Sequence, residues 1–428
     1  MEVLDYPGVK EKLYHEKLPN GLEVYILPKE GFQKTYATFS TRFGSVDNCF
    51  AVGDRSYVRV PDGIAHFLEH KMFEEPTGDI FATFASQGAS ANAFTSFDRT
   101  VYLFSATEQI QANLETLLNF VQHPYFTDEN VEKEKGIIEQ EINMYKDNPD
   151  WRVYTGLIDA LYHKHPVHID IAGSVESIRS IDKESLYTCY ETFYHPSNMM
   201  LFVVGGVRAE EIMELVRANQ SGKSFEQLDS IKRQFEDEPV NVKIPKKTAV
   251  LPVSLPKCLF GFKEKQLVHE SAELQRRDIT TKLMLDVLLG QSSQLYQSLY
   301  DDNLISDSFG YEYNSSYDYA FSIIGGETRD PDEFLRRIRS SIEEALKAGL
   351  QEEAFERTRR KRIGGYLRML NSPEAIANEF TRHKFRGGDL FQLLPLFEQI
   401  TLEEINERMR EHFDFDQMAV SIVSKENV

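Results

Sequence analysis

Cysteine is scarce in this chain, with three in 428 residues: Cys49, Cys189 and Cys258. An odd number, widely spread and in no metal-ligand spacing, excludes a disulfide-stapled secreted scaffold and a cysteine-held metal. They read as packing residues in a reducing compartment. No stretch reaches 18 apolar residues, which excludes a hydrophobic membrane-spanning helix. The opening Met1-Glu2-Val3-Leu4-Asp5-Tyr6-Pro7 has neither a basic n-region nor an apolar h-region, so the expectation is a soluble, cytoplasmic protein without a membrane partner. Positive charge is also short, at 48 Lys and Arg against 68 Asp and Glu, a net of -20. That balance argues against nucleic acid as a partner and favours the attraction of basic peptides.

What the chain does have begins with 41% hydrophobic content, enough at this length for two or three domain cores. Its most informative stretch is His66-Phe67-Leu68-Glu69-His70. At about 100° per residue, two histidines four apart on a helix lie roughly 40° apart around its axis and can grip one ion. Glu69 stands beside them, close enough to hold a water on that ion. This HxxEH order is the reverse of the commoner HExxH zinc motif and carries the inverzincin signature. The flank Ile64-Ala65-His66-Phe67-Leu68 suits a helix buried on its other side. A histidine pair on an apolar helix can also be a hydrogen-bonded core feature, so the motif needs support from elsewhere in the chain.

A catalytic zinc takes three protein ligands and keeps a fourth position open. Candidates for the third lie in Val131–Ile142, where Glu134 and Glu141 are seven apart and so are Glu132 and Glu139. Spacing alone does not choose between the two pairs.

Several segments together resemble the pitrilysin/insulinase metallopeptidases, the family that includes the mitochondrial processing peptidase. They are the hairpin Leu18–Val24, the run Gly63–Phe73, the strand Ala91–Thr95 with Asp98–Tyr102, and Glu141–Pro149, in that order and spacing. The resemblance implies one Zn2+ per chain, with Glu141 as third ligand beside His66 and His70, Glu134 as supporter of the ligand geometry, and Glu69 as catalytic base. Glu132 and Glu139 then read as an ordinary solvated face. Ser90-Ala91-Asn92-Ala93 alternates small and polar residues as an edge strand does, and Asn92 and Ala93 are expected to bind an extended peptide as an added strand.

The two halves also repeat. An offset of 219 residues lays Ser180–Leu186 over Gln399–Ile405 and Met199–Val204 over Met418–Val423, each pair reading as a capped helix followed by an apolar strand. The zinc helix has no counterpart, since Leu285–Leu289 falls where HxxEH would be. The expected organisation is a metal-bearing catalytic domain at 1–219, a linker at 220–245 and a second homologous domain at 246–428. Short β-rich runs such as Leu22–Pro28 and Tyr36–Phe43 alternate with long helical runs such as Asp330–Leu350 and Gln351–Leu370, which gives an α+β fold of two similar layered domains. The resemblance implies that these face each other around a substrate cavity and that two chains complete the chamber.

Zinc in such a site lowers the pKa of its water from near 16 toward about 7, and Glu69 would take that water's proton. The expected activity is therefore zinc-dependent endopeptidase action on unfolded or short peptides. One feature departs from the family pattern. Active members commonly carry an Arg and a Tyr about seven residues apart in the second domain, whereas the matching segment Ser293–Asp307 has Tyr300 where the Arg is expected and Asp307 or a neighbour where the Tyr is expected. A partner chain supplying that pair is one expectation; a non-catalytic subunit, like the core proteins of respiratory complexes, is the alternative.

Overall fold

Apolar and β-branched runs bounded by turn residues build two large sheets in the computed structural model, which describes residues 1–76 and 78–426. The first sheet uses β1 (Glu2–Tyr6), β2 (Glu11–Lys17), β3 (Glu23–Pro28), β4 (Thr35–Thr41), β5 (Ala89–Thr95), β6 (Thr100–Ala106) and β7 (Met199–Gly205), in the order β1-β2-β3-β7-β4-β6-β5. Strand β7 runs parallel to β3 and antiparallel to β4, with Leu201 opposite both Val24 and Phe39. It is buried along its whole length, as a continuous apolar run at a sheet centre should be.

The second sheet comprises β8 (Lys246–Val250), β9 (Lys257–Phe262), β10 (Gly310–Ser315), β11 (Ala320–Glu327) and β12 (Met418–Ser424), in the order β8-β12-β9-β11-β10. Its one parallel pair, β8 with β12, and its three antiparallel pairs repeat the pattern of β3-β7-β4-β6-β5. The repeat read from the sequence is thus present in the fold, and β7 and β12 stand 219 residues apart. A helix capped by a reciprocal box precedes each of them. Asp182 and Ser185 close one box, Thr401 and Glu404 the other.

Two compact units result. Unit 1 comprises Met1–Ile142, Ile169–Phe235 and Arg368–Phe385; unit 2 comprises Asn143–His168, Glu236–Leu367 and Arg386–Val428. These units are not the two sequence halves. The helices that carry the site, the exchanged segments and the second unit's buried acid are α1 (Ile64–Met72), α2 (Asp128–Lys146), α3 (Pro149–Leu161), α4 (Ser271–Leu289), α5 (Glu352–Met369) and α6 (Pro373–Phe385). Helix α3, from the first half, belongs to unit 2, where Gly156 lies so close to β12 that a Cβ would come within 2.7 Å of Ser421 Oγ. Helix α6, from the second half, belongs to unit 1, with Phe380 stacked on Phe202 at 4.4 Å and edge-on to Tyr25 at 5.0 Å. The sequence gives no hint of this reciprocal exchange, because an amphipathic helix records that it buries a face but not against which sheet.

The segment expected as a linker is ordered by specific contacts. Ile231–Arg233 pairs with Cys49–Val52 to extend a small sheet, and Arg233 Nε donates to Asp47 at 2.5 Å. Further on, Glu238 accepts from the backbone N–H groups of His163, Lys164 and His165 at 2.7–2.8 Å. A three-residue strand is too short for periodicity to reveal. Among the described residues no helix is long and apolar enough to cross a membrane.

Candidate metal centre

Helix α1 is embedded in the unit 1 core. It buries Ile64, Ala65, Phe67, Leu68 and Met72, and full burial of each larger side chain is worth about 1.5–3 kcal/mol. The helix therefore holds its histidines on a rigid support. Gly63 opens it at φ 88°, and a Cβ at that residue would lie 2.4 Å from the Ala172 carbonyl oxygen, so only glycine fits. Helix α2 starts at a reciprocal cap, in which Thr127 N–H donates to Asn130 Oδ1 and Asn130 N–H to Thr127 Oγ1. Burial of Val131, Glu134, Ile138 and Ile142 on one of its faces brings Glu134 and Glu141 beside α1.

His66, His70 and Glu141 each offer a ligand atom, and these atoms all lie within 4.8 Å of one another. His66 Nε2 is 3.7 Å from Glu141 Oε1, and His70 Nε2 is 3.6 Å from Glu141 Oε2. Those separations are long for hydrogen bonds. They suit ligands about 2.0–2.2 Å from one tetrahedral ion, which stand roughly 3.4 Å apart. Glu134 Oε1 is 3.1 Å from His70 Nδ1, which leaves His70 Nε2 turned toward Glu141. The rival pair is engaged elsewhere: Glu132 pairs with Lys135, and Glu139 accepts from Arg179 through both oxygens at 3.0 Å.

Burial and the neighbouring His70 push the His66 imidazole down to about 3, so this ring is neutral at ordinary pH and able to ligate. Its Nδ1 is buried without a hydrogen-bond partner among the described residues. A neutral, buried imidazole with its other nitrogen facing a carboxylate and a second imidazole fits zinc. Burial pulls His70 down as well, but the Glu134 hydrogen bond and the charges of Glu69, Glu134 and Glu141 outweigh it and raise the ring overall.

Glu69 is raised by burial, only partly offset by Thr95, whose hydroxyl donates to Glu69 Oε2 at 2.6 Å. Thr95 closes β5, and Thr100 beside it donates in turn to the Phe43 carbonyl at 2.8 Å, so the tether is anchored in the sheet. Sequence reasoning gave Thr95 no role. The one available signal was a hydroxyl at the end of an edge strand near HxxEH. Lys71 was likewise missed: it is fully buried, pairs with Glu74 and lies 3.8 Å from Glu134.

Asn92 and Ala93 lie on β5, the last strand of its sheet and so open on one side. The Ala93 N–H is occupied by Asn92 Oδ1 at 2.9 Å, a local substitute for a strand partner. Both residues line a cavity of about 590 Å³ that also reaches Glu69, His70 and Glu134, with the stacked rings of Phe73 and Phe81 in its wall. Near the position that the 219-residue offset assigns to HxxEH, α4 places Asp286 instead. This buried carboxylate accepts from Lys361 Nζ and Arg362 Nε at 2.7 Å and from Tyr311 Oη at 2.5 Å. Protein cations hold an acid there, and among the described residues no ligand set forms around it. Of the tyrosines near the missing pair, Tyr311 is engaged by Asp286, Tyr313 is buried, and Tyr300 is 45% exposed.

Residues 38–175 match the insulinase (peptidase family M16) profile, and residues 180–362 match the profile described as the peptidase M16 inactive domain. The chain is 50% identical, over 97% of its own length and 97% of the other, to the uncharacterized zinc protease YmfH of Bacillus subtilis. It is 25% identical to the zinc protease PqqE of Helicobacter pylori, over 85% and 81% of the two chains. Among solved structures it resembles a putative M16-like peptidase from Alicyclobacillus acidocaldarius, with a TM-score of 0.94 and 42% identity over 98% and 99% of the two chains. A protease from Helicobacter pylori, at 19% identity and a TM-score of 0.83 over 97% and 99%, shares the fold.

Proposed function

Because the chain belongs to the insulinase family (peptidase family M16), we propose that it is a zinc-dependent endopeptidase hydrolysing unfolded or short peptides as the metal-bearing subunit of a dimer. Its catalytic half is 1–219, joined through 220–245 to a second, homologous half at 246–428. The observation that carries this reading is the convergence of three ligand atoms within 4.8 Å beside the buried carboxylate of Glu69.

Zinc held by His66, His70 and Glu141 supplies, when bound, an acidified water and a polarised scissile carbonyl. The chain's own residues do the rest. Glu69 takes the proton of the attacking water and returns it to the leaving amine, and its burial suits a base that must work near neutral pH. Thr95 fixes that carboxylate through Oε2 and leaves the proton-transfer geometry to the other oxygen. Glu134 orients His70 through Nδ1. The open edge at Asn92 and Ala93 aligns an extended substrate, the Asn92 side chain giving up its bond to the Ala93 N–H as the peptide pairs. Backbone pairing of this kind demands an extended chain, so folded proteins are poor substrates.

The experiment is metal analysis by mass spectrometry together with cleavage of an internally quenched peptide before and after chelation. About one zinc per chain and chelator-sensitive cleavage are expected. A metal-free protein that cleaves equally well would overturn the proposal.

A further inference from the structure

In a chain of net charge -20, five of the six residues from Arg357 to Arg362 are cations, and all of them lie on α5. Their directions differ. Arg362 is drawn to the buried Asp286, and Arg359 pairs with Glu356 at 2.7 Å. Arg357, Arg360, Lys361, Gly364 and Gly365 fall at i, i+3, i+4, i+7 and i+8, on one side of the helix, while Phe355, Thr358 and Tyr366 are buried on the other. Arg360 has no ion-pair partner among the described residues. Lys361 is 57% exposed yet anchored to Asp286, which Arg362 also uses, so one carboxylate serves two cations. On the outer side Glu353 pairs with Arg357 at 3.9 Å, one exposed carboxylate against three cations. An excess of fixed positive charge faces solvent.

The glycine pair makes this more than a solvated helix face. Glycine is disfavoured in a helix interior, and a Cβ at Gly364 or Gly365 would meet nothing within 4 Å, so packing does not require either one. They leave bare backbone directly beside Lys361, where another chain can lie close.

We propose that this basic face of α5, with the Gly364-Gly365 saddle, binds an acidic stretch of the peptide substrate. The saddle admits the peptide backbone, and Arg357, Arg360 and Lys361 receive its carboxylates as charge-assisted hydrogen bonds. A polypeptide occupant is favoured over nucleic acid because the surrounding net charge repels a polyanion while a short acidic run can meet the local cations. Identifying the occupant as substrate rests on the peptidase reading; the binding itself does not. The expectation from overall charge, that basic peptides are attracted, is thereby confined to the rest of the surface.

The test uses the full-length chain with Glu69→Gln, so that no probe is cleaved, and measures fluorescence anisotropy with three labelled probes: a glutamate-rich peptide, a lysine-rich peptide of the same length, and a short single-stranded oligonucleotide. The glutamate peptide should bind, weaken with added salt, and lose about tenfold in affinity on Arg360→Glu, the scale of one lost charge-assisted contact made repulsive. Gly364→Leu should weaken binding while the thermal midpoint holds or rises, since it adds a helix former where there is open space. Both variants are exposed, so the fold tolerates them. Glutamate binding unchanged by both variants, or tighter binding of the oligonucleotide that Arg360→Glu abolishes, overturns the proposal. Because no arm requires metal or cleavage, a failed peptidase assay does not decide it.

Discussion

Replacing Glu69 with glutamine tests the catalytic reading most directly, because it keeps the side chain's shape and its ability to accept from Thr95 while removing the ionisable oxygen. Two effects of opposite sign follow from the structure. Turnover should fall about 10²–10⁴-fold, the usual contribution of a positioned general base. Stability of the metal-free protein at pH 7 should rise. Burial raises the Glu69 carboxyl above its ordinary 4.5, so its ionisation penalises the folded state as pH climbs through and beyond that value. A neutral glutamine avoids the penalty, and the difference between variant and parent should shrink toward pH 4 and vanish below it. The assays are single-turnover cleavage of an internally quenched peptide between pH 6 and 9, zinc content, and the thermal midpoint of the metal-free protein at pH 4 and pH 7. Zinc should remain bound by the variant. Unchanged turnover would refute the base assignment, and a lower midpoint at pH 7 would refute the electrostatic account of the buried carboxylate.

Four further outcomes are expected. His70→Ala should remove the zinc, and full occupancy by elemental analysis in that variant would show that the ligand set is wrong. Glu141→Gln should weaken zinc binding, Glu134→Gln should do so by less, about 10–100-fold as for other orienting partners of metal ligands, and Glu139→Gln, whose carboxylate is held by Arg179, should leave affinity unchanged in a competition titration. In unit 2, buried Glu264 pairs with Arg408, His412 and Arg277, so Arg408→Met should cost about 3–5 kcal/mol in denaturant unfolding. Burial opposes ionisation of Glu264, but Arg408, the His412 ring hydrogen-bonded to it and Arg277 hold its carboxyl well below the ordinary 4.5; the stabilisation is therefore complete above that value and should drain away as pH falls beneath it, and an acid-unfolding profile unmoved by Arg408→Met would contradict this. Finally, with Tyr300 and Asp307 where the family's Arg and Tyr are expected, the isolated chain should be slow by about a hundredfold, the worth of one oxyanion donor, and a related chain that lacks HxxEH but carries the pair should restore the rate on mixing; full activity of the chain alone, with light scattering showing no heterodimer, would dismiss the partner.

What the sequence alone determined was whatever local periodicity encodes. Two histidines four apart, a glutamate between them, alternating strands, capped helices and a 219-residue repeat depend on neighbours along the chain, and all of them are legible in one line of residues. Glu134/Glu141 and Glu132/Glu139 share one spacing, which does not choose between them; the family resemblance implied the first pair, and the packing of α2 against α1 brings Glu141 near both imidazoles while Glu139 meets Arg179. The tether from Thr95 to Glu69, the burial of Lys71 beside Glu134 and the pairing of Ile231–Arg233 with Cys49–Val52 are contacts made across long stretches of chain. So is the exchange of α3 and α6 between the compact units. A helix's apolar stripe states that a face must be buried, but the surface that buries it is chosen by the three-dimensional fit of the whole chain, and that choice set His66 and His70 beside Glu141, tied Glu69 to Thr95 and His70 to Glu134, and left an open strand edge on the same cavity.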